Sequence, residues 1–145
     1  TRDVTVDEAV NKYFLAAYVR SREGWNLAAA PQMTQAVLSL SAPQEQEKLA
    51  AARRPQNPAS PYNVYQQGQV VTAAIRNIAF ISPNVAQVRF VKTVSRPGNA
   101  PDQANYWLAT INFKYVERPT SEAGRLDNPL GFQVESYRAD PEIGQ

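Results

Sequence analysis

The sequence predicts an α+β domain in which N-terminal helices pack on a strongly curved, four-stranded antiparallel sheet. Apolar residues in the first 54 positions recur at helical spacing, whereas those in the second half alternate as strands do. A proline-rich stretch, residues 55–61, separates the halves and stops a helix from continuing across it. The alternation changes phase between Ile75 and Ile78, which indicates a bulge or a sharp bend in the first strand.

The first predicted element is a helix over residues 6–24. Acidic residues at its start suit the helix dipole, and Gly24 suits its C-terminal cap. One apolar stripe is expected to pack on the sheet: Val6, Val10, Tyr13, Phe14, Ala17 and Tyr18. Leu15 and Val19 lie on the other side, among charged residues. The simpler interpretation is that they form plain surface or a second packing layer. The alternative is that they form a contact for a partner chain.

Two shorter helices are predicted next, over residues 31–40 and residues 43–54. Proline at the first position of each suits the start of a helix, because the amide hydrogen that proline lacks would be unpaired there. The apolar face of the third helix, formed by Leu49 and several alanines, is weak. We therefore expect this helix to lie on the surface.

Four strands are predicted in the second half of the chain. The phase change lies in the first strand, the second covers Val88 and Phe90, and residues 107–115 alternate most clearly as the third. Short turns at residues 82–84 and 97–99 favour antiparallel pairing of these three. The fourth strand begins at Phe132 and ends at Pro141, which offers no amide hydrogen to a neighbouring strand.

A tight turn, Asn128-Pro129-Leu130-Gly131, leads into the fourth strand. Asn128 can accept a hydrogen bond at the first turn position, Pro129 fixes φ at the second, and Gly131 suits the fourth, as in a type I turn. Leu130 is then left at the tip. Taken alone, these turn residues indicate a turn followed by the closing strand, and they do not indicate a functional role.

Composition excludes several classes of function. The chain has 145 residues, and it contains no run of about 18 apolar residues that could span a bilayer. Cysteine and histidine are absent, which excludes a disulfide framework, a thiol nucleophile, Ser-His-Asp catalysis and most transition-metal sites. The net charge of +2 is too small for a nucleic-acid footprint unless the basic residues segregate on one face.

Two acidic pairs, Glu45 with Glu47 and Asp140 with Glu142, are the candidates for acid–base chemistry. They lie in polar segments without an apolar pocket that would tune them for proton transfer, so we expect them to be solvated charges. The sequence therefore predicts no catalytic residue, no cofactor and no metal site.

Two segments resemble the VirB8 family, the bitopic inner-membrane assembly factors of bacterial type IV secretion systems. Residues 128–142, with Asn-Pro-x-Gly-Phe, Val134, Tyr137 and Asp-Pro-Glu, are similar to the end of the family's periplasmic domain. Residues 12–25 are similar to its first helix. The resemblance implies a nuclear-transport-factor-two-like, or cystatin-like, form of the α+β fold, with residues 1–145 as a single periplasmic domain.

The same resemblance implies a non-enzymatic scaffold that docks the subunits of a type IV secretion or conjugation channel. A cytoplasmic tail and one transmembrane helix are expected upstream, in the bacterial inner membrane. The implied partners are a second copy in a weak homodimer, the core-complex proteins and the inner-membrane ATPase, with nucleic acid not expected. Asn128, Pro129 and Gly131 match the family motif, with Leu130 at its variable position, and are expected to position the last strand and an interaction surface beside it.

A small-molecule pocket is the alternative function. Domains of this architecture also serve as isomerases and dehydratases, which use the concave mouth of the sheet. Such sites usually place His, Asp or Tyr inside the mouth, and this chain has no histidine. A mouth filled by Trp107 and Phe113 would favour docking, whereas a deep pocket containing Asp or Tyr would favour chemistry.

Overall fold

The computed structural model of the chain describes residues 6–65, 68–96, 98, 103–116, 126 and 128–142. The helices in these ranges are α1 (Val6–Glu23), α2 (Ala30–Ser39), α3 (Pro43–Ala52) and the short α4 (Pro61–Val64), with a 3-10 turn (Leu27–Ala29) before α2. The strands are β1 (Val70–Ser82), β2 (Val85–Ser95), β3 (Gln103–Tyr115) and β4 (Phe132–Pro141). They form one antiparallel sheet in the order β1-β2-β3-β4, so the predicted fold class is confirmed.

The helices cover one face of this sheet. α1 packs on β1 and β2, and α3 packs on β4. The core between the two layers is aliphatic and aromatic, and its largest fully buried side chains include Tyr18, Phe90, Phe132 and Ile111. Phe14, Phe113 and Phe132 form a continuous stack of rings, with centroids 5.1–5.4 Å apart, that joins α1 to β3 and β4.

The buried side of α1 differs from the predicted stripe. Leu15 and Val19 are fully buried, whereas Tyr13 is 70% exposed. The expectation that Leu15 and Val19 form a partner surface is therefore wrong. Phe14 and Tyr18 of the predicted stripe are buried as expected, but together with Leu15 and Val19, so the buried side is shifted around the helix and leaves Tyr13 outside it.

α3 lies on the surface, as expected from its weak apolar face, since eight of its ten residues are exposed. Only Leu49 and Glu45 of α3 are buried, on the side that faces the rest of the domain. The proline-rich stretch does stop a helix, but its last proline, Pro61, starts the short α4. The Ser60 side chain caps α4 by accepting a hydrogen bond from the Tyr62 amide.

Three register shifts bend the sheet. The predicted phase change in β1 is confirmed, because the pairing with β2 shifts between Ile75 and Asn77 and leaves Arg76 as an extra residue. A second shift, between Phe80 and Ser82, leaves Ile81 extra near the end of β1. A third, between β3 and β4, leaves Glu135 extra, after which Tyr137 returns to the buried side. Bulges of this kind increase the local twist and let a sheet wrap around a helix.

Leu15→Ala is expected to lower the free energy of unfolding by about 2–5 kcal/mol, because it leaves a cavity in the core. Leu27→Ala is the matched control, since Leu27 is 51% exposed, and it should change the stability by less than about 0.5 kcal/mol. Urea unfolding followed by circular dichroism measures both. Two equally small changes would place Leu15 on the surface.

Candidate interaction site

The turn at residues 128–131 is held by the side chain of Asn128, which is buried although it is polar. Its Nδ2 donates to the carbonyl oxygens of Ser39 at 3.2 Å and Phe132 at 2.7 Å, and its Oδ1 accepts from the Phe132 amide at 3.0 Å. These bonds satisfy a side-chain amide that would be costly to bury unpaired. The turn thus ties the end of α2 to the start of β4.

Gly131 is required at the end of this turn for two reasons. Its φ of +73° lies in the left-handed region, which favours glycine. A Cβ atom at this position would also lie 2.2 Å from the carbonyl oxygen of Val116, which follows β3. The Gly131 carbonyl accepts a hydrogen bond from the Val116 amide at 2.8 Å, so the two backbones are held in close approach.

An open groove of about 660 Å³ lies beside the turn, between α1 and α2. We name it the apolar groove; its lining includes Tyr13, Ala17, Pro31, Leu40, Leu126 and Pro129. Tyr13 and Leu126 are 70% and 77% exposed, and no charged side chain is among the described residues that line it. Exposed apolar surface of this kind is typical of protein–protein contacts.

A cluster of ionisable side chains fills the space between α1, α3 and β4. Nη1 of Arg22 donates to the Tyr18 hydroxyl at 2.7 Å and to Oε1 of Glu45 at 3.0 Å, and the guanidinium lies 4.2 Å from the centre of the Tyr137 ring. Lys48 pairs with the other Glu45 oxygen at 3.0 Å. Glu45 is only 2% exposed, so the expectation that it is a solvated charge is wrong. Its two cations offset the cost of burying the carboxylate.

The cluster continues through Tyr137. Its hydroxyl donates to Oε2 of Glu23 at 2.5 Å, and Oε1 of Glu23 accepts from Lys92 at 3.1 Å. Burial raises the pKa of Tyr137 well above its ordinary value, and the negative charge of Glu23 raises it further. Burial also raises the pKa of Tyr18, although the nearby Arg22 opposes the shift. Both hydroxyls therefore stay protonated at neutral pH.

Of the remaining acid candidates, Glu47 and Asp140 meet solvent as expected, whereas the Glu142 side chain is only 16% exposed, so the expectation of a solvated charge is wrong for Glu142. Glu47 is exposed, Asp140 pairs with Arg138 at 2.9 Å, and Glu142 pairs with Arg89 at 3.2 Å. Across the described ranges, no group of three or more acidic, cysteine or histidine residues could hold a metal ion. The arrangement offers packing surface and paired charges rather than an acid and a base poised around a substrate.

A sequence model of the VirB8 family, described as VirB8 protein, matches residues 1–142. The chain belongs to the VirB8 family. The type IV secretion system protein virB8 of Bartonella henselae is 43% identical over 139 residues, which are 96% of this chain and 58% of that protein. The virB8 protein of Bartonella quintana is 40% identical over 137 residues, 94% of this chain and 58% of that protein. The chain thus spans 58% of the length of these two relatives.

A solved structure agrees with the family assignment. The VirB8 protein of Agrobacterium tumefaciens superposes with a TM-score of 0.90 at 27% identity, covering 100% of this chain and 99% of that one. The resemblance to VirB8 and the nuclear-transport-factor-two-like fold are therefore confirmed. VirB8 proteins are structural components of type IV secretion systems and not enzymes, in agreement with the expectation of a non-enzymatic role. None of the helices in the described part of this VirB8 domain is long and apolar enough to cross a bilayer.

The sequence predicts the turn but neither the apolar groove nor the ionisable cluster. Tyr13 is assigned to the core because it shares a helical stripe with Phe14 and Tyr18. The cluster does have a local signal, since Tyr18 and Arg22 lie one helical turn apart and therefore share a face. Their partner Glu45 is 23 residues beyond Arg22, and no local spacing connects the two.

Gly131→Ala is expected to destabilise this VirB8 domain by more than Gly68→Ala does. Both glycines have positive φ, so each substitution carries a backbone cost of about 1 kcal/mol. Only Gly131 has a carbonyl oxygen 2.2 Å from the new Cβ, whereas nothing lies within 4 Å at Gly68. Thermal and urea unfolding measure the difference. Equal losses for the two variants would show that the turn tolerates a side chain at Gly131.

Tyr137→Phe is expected to flatten the alkaline limb of the stability profile. An unfolded tyrosine ionises near pH 10, whereas the raised pKa of Tyr137 keeps the folded hydroxyl protonated beyond that. The unfolded state therefore binds fewer protons, and stability falls as the pH rises above about 10. Urea unfolding between about pH 9 and pH 11 measures the slope. Tyr62→Phe, at an exposed tyrosine, should leave the slope unchanged, and an unchanged slope in both variants would contradict the role of Tyr137.

Proposed function

We propose that this VirB8 domain is a docking module of a type IV secretion system, located in the periplasm and joined to the inner membrane by a transmembrane helix upstream. Family membership supports the system, since the matched relatives are described as type IV secretion system proteins. The anchor and the compartment are proposed from the family's bitopic arrangement. In this role the domain brings subunits together and performs no covalent chemistry.

The observation that carries the proposal is the apolar groove. Tyr13 and Leu126, which both line it, are mostly exposed, and the described lining carries no charge. Covering this surface with another protein removes apolar area from water without desolvating an ion. Tyrosine adds a large contact area and a hydroxyl that can stay at a wet rim, which is why it is enriched in interfaces.

We propose that a second copy of the chain occupies the apolar groove in a weak homodimer. Two-fold symmetry requires a patch that is complementary to itself, and a protruding Tyr13 next to a groove meets that requirement. The patch is small compared with the roughly 800 Å² per partner of a stable interface, so the association should be weak. Asn128 and Gly131 act indirectly, because the turn they hold places Pro129 in the groove wall and Leu130 beside it.

Other channel subunits, the core-complex proteins and the inner-membrane ATPase, are the further partners in this proposal. The charges on the sheet support proteins rather than nucleic acid. Arg89, Lys114 and Arg138 each pair with a carboxylate at 2.9–3.2 Å, so these three do not form a continuous basic track. The small-molecule alternative is not favoured, because Phe113 is buried in the core and Trp107 packs against it.

Tyr13→Ala is expected to weaken self-association about tenfold, which is the loss expected for an interface anchor worth about 1.4 kcal/mol. Analytical ultracentrifugation over a concentration series measures it, with Leu27→Ala as an exposed apolar control outside the groove. In the full-length protein, Tyr13→Ala should lower secretion and Leu27→Ala should not. Unaltered sedimentation of a folded Tyr13→Ala variant would refute the groove as the dimer surface.

A further inference from the structure

The N-terminal half of α1, residues 6–13, packs less deeply than the half that follows. None of the side chains at residues 7–13 is buried, whereas five of the six at residues 14–19 are. The first four amides of a helix also have no partner within it, so such an end unwinds readily unless another contact fixes it. Tyr13, the exposed tyrosine of the apolar groove, lies in this half. Its position therefore depends on what holds these first two turns.

Tyr115, at the end of β3, provides one such contact. Its hydroxyl donates a hydrogen bond to Oδ1 of Asn11 at 2.5 Å. Val10, next to Asn11, packs against the core, so the backbone of α1 is already close to the body of the domain at this turn. Tyr13 follows two residues after Asn11. The bond thus joins β3 to the turn of α1 that carries the groove tyrosine.

Tyr115 is itself fixed in place by the start of β4. It pairs with Phe132 across β3 and β4, and the two rings meet edge to face with their centroids 5.6 Å apart. Phe132 is fully buried. The residue after Tyr115, Val116, donates its amide to the Gly131 carbonyl at 2.8 Å. A ring held in this way loses little conformational freedom when its hydroxyl binds, so more of the hydrogen-bond energy is left to hold the helix.

These contacts form a continuous path from the turn at residues 128–131 to the apolar groove. The path runs from Gly131 through Tyr115 and the end of β3 to Asn11 on α1. Of the four turn residues, only Pro129 lines the groove. The path therefore gives the other turn residues a means to set the shape of the groove without contacting its occupant.

We propose that Tyr115 is a positioning residue for the apolar groove, because its hydrogen bond to Asn11 fixes the N-terminal half of α1, and with it Tyr13, relative to the turn at residues 128–131. This inference rests on the proposed homodimer and adds a control on the same surface. Tyr115 is not among the described residues that line the groove, so it acts through α1. Linkage requires the reverse effect as well, so a second copy bound at Tyr13 strengthens the bond between Tyr115 and Asn11.

The first test compares Tyr115→Phe with the wild-type 145-residue chain, at a concentration low enough to keep both monomeric. The substitution removes the hydroxyl and keeps the ring on Phe132. Amide hydrogen exchange by NMR is read at residues 10–13, the first amides of α1 with carbonyl partners one turn earlier. Their exchange should be about threefold faster or more, while exchange at residues 16–19 should not change. Tyr62→Phe is the matched control, since Tyr62 is 44% exposed and Tyr115 43%. Wild-type exchange at residues 10–13 in Tyr115→Phe would overturn the proposal.

Substitutions at Asn11 separate the hydrogen bond from helix propensity. Alanine is a better helix former than asparagine, so propensity alone predicts slower exchange in Asn11→Ala. Loss of the acceptor predicts faster exchange, as in Tyr115→Phe. Asn11→Asp keeps a side-chain oxygen as the acceptor and should exchange within about twofold of wild type. The double variant of Tyr115→Phe and Asn11→Ala should exchange no faster than Tyr115→Phe alone, since both changes remove the same bond. Slower exchange in Asn11→Ala, or fully additive effects, would contradict the role of Tyr115.

The link from Tyr115 to the groove is tested by self-association. Tyr115→Phe should weaken it about threefold in analytical ultracentrifugation, whereas Tyr62→Phe should leave it unchanged. Faster amide exchange with unaltered self-association in Tyr115→Phe would refute the assignment to the groove. The proposed homodimer is tested separately by Tyr13→Ala. If Tyr13→Ala leaves self-association unaltered, the dimer surface is wrong, and exchange in the monomer still shows whether Tyr115 holds α1.

Discussion

The fit between α1 and the helix-covered side of the sheet is the constraint on which the rest of the structure depends. Leu15, Tyr18 and Val19 of this helix are fully buried, so the strands must curve around it. The bulges at Arg76 and Glu135 provide that curvature. They also place side chains that a regular strand would not, with Arg76 turned onto Tyr106 outside and Tyr137 turned into the core.

The buried side of α1 includes polar side chains as well as apolar ones. Tyr18 and Arg22 share the buried side, and a guanidinium in that position is costly unless carboxylates and hydroxyls meet it. Glu45 supplies the carboxylate, while Ser41 accepts or donates at the Tyr18 hydroxyl, 2.8 Å away. The position of α3 is therefore set by charge pairing as much as by the burial of Leu49.

How much of this fold the sequence predicts depends on whether the signal is local. The helix–strand division, the bulge in β1 and the glycine of the turn all follow from patterns within a few residues. The phase of α1 does not, because Phe14 and Tyr18 have apolar neighbours on both flanks, and only the tertiary packing buries Leu15 and Val19 rather than Tyr13. The burial of Glu45 depends on Arg22 from another helix, and the apolar groove combines α1 and α2 with Leu126 and Pro129. Sites assembled from segments that are distant in the sequence are not indicated by the local spacing of residues.

The makeup of the ionisable cluster has a consequence for the surroundings in which the domain can work. The buried groups with shifted titration are tyrosines and arginines, and the chain has no histidine. These groups keep the same charge from about pH 5 to pH 8, the range in which histidine-based sensors respond. Mild acidification within this range would therefore leave the charges of these tyrosines and arginines unchanged.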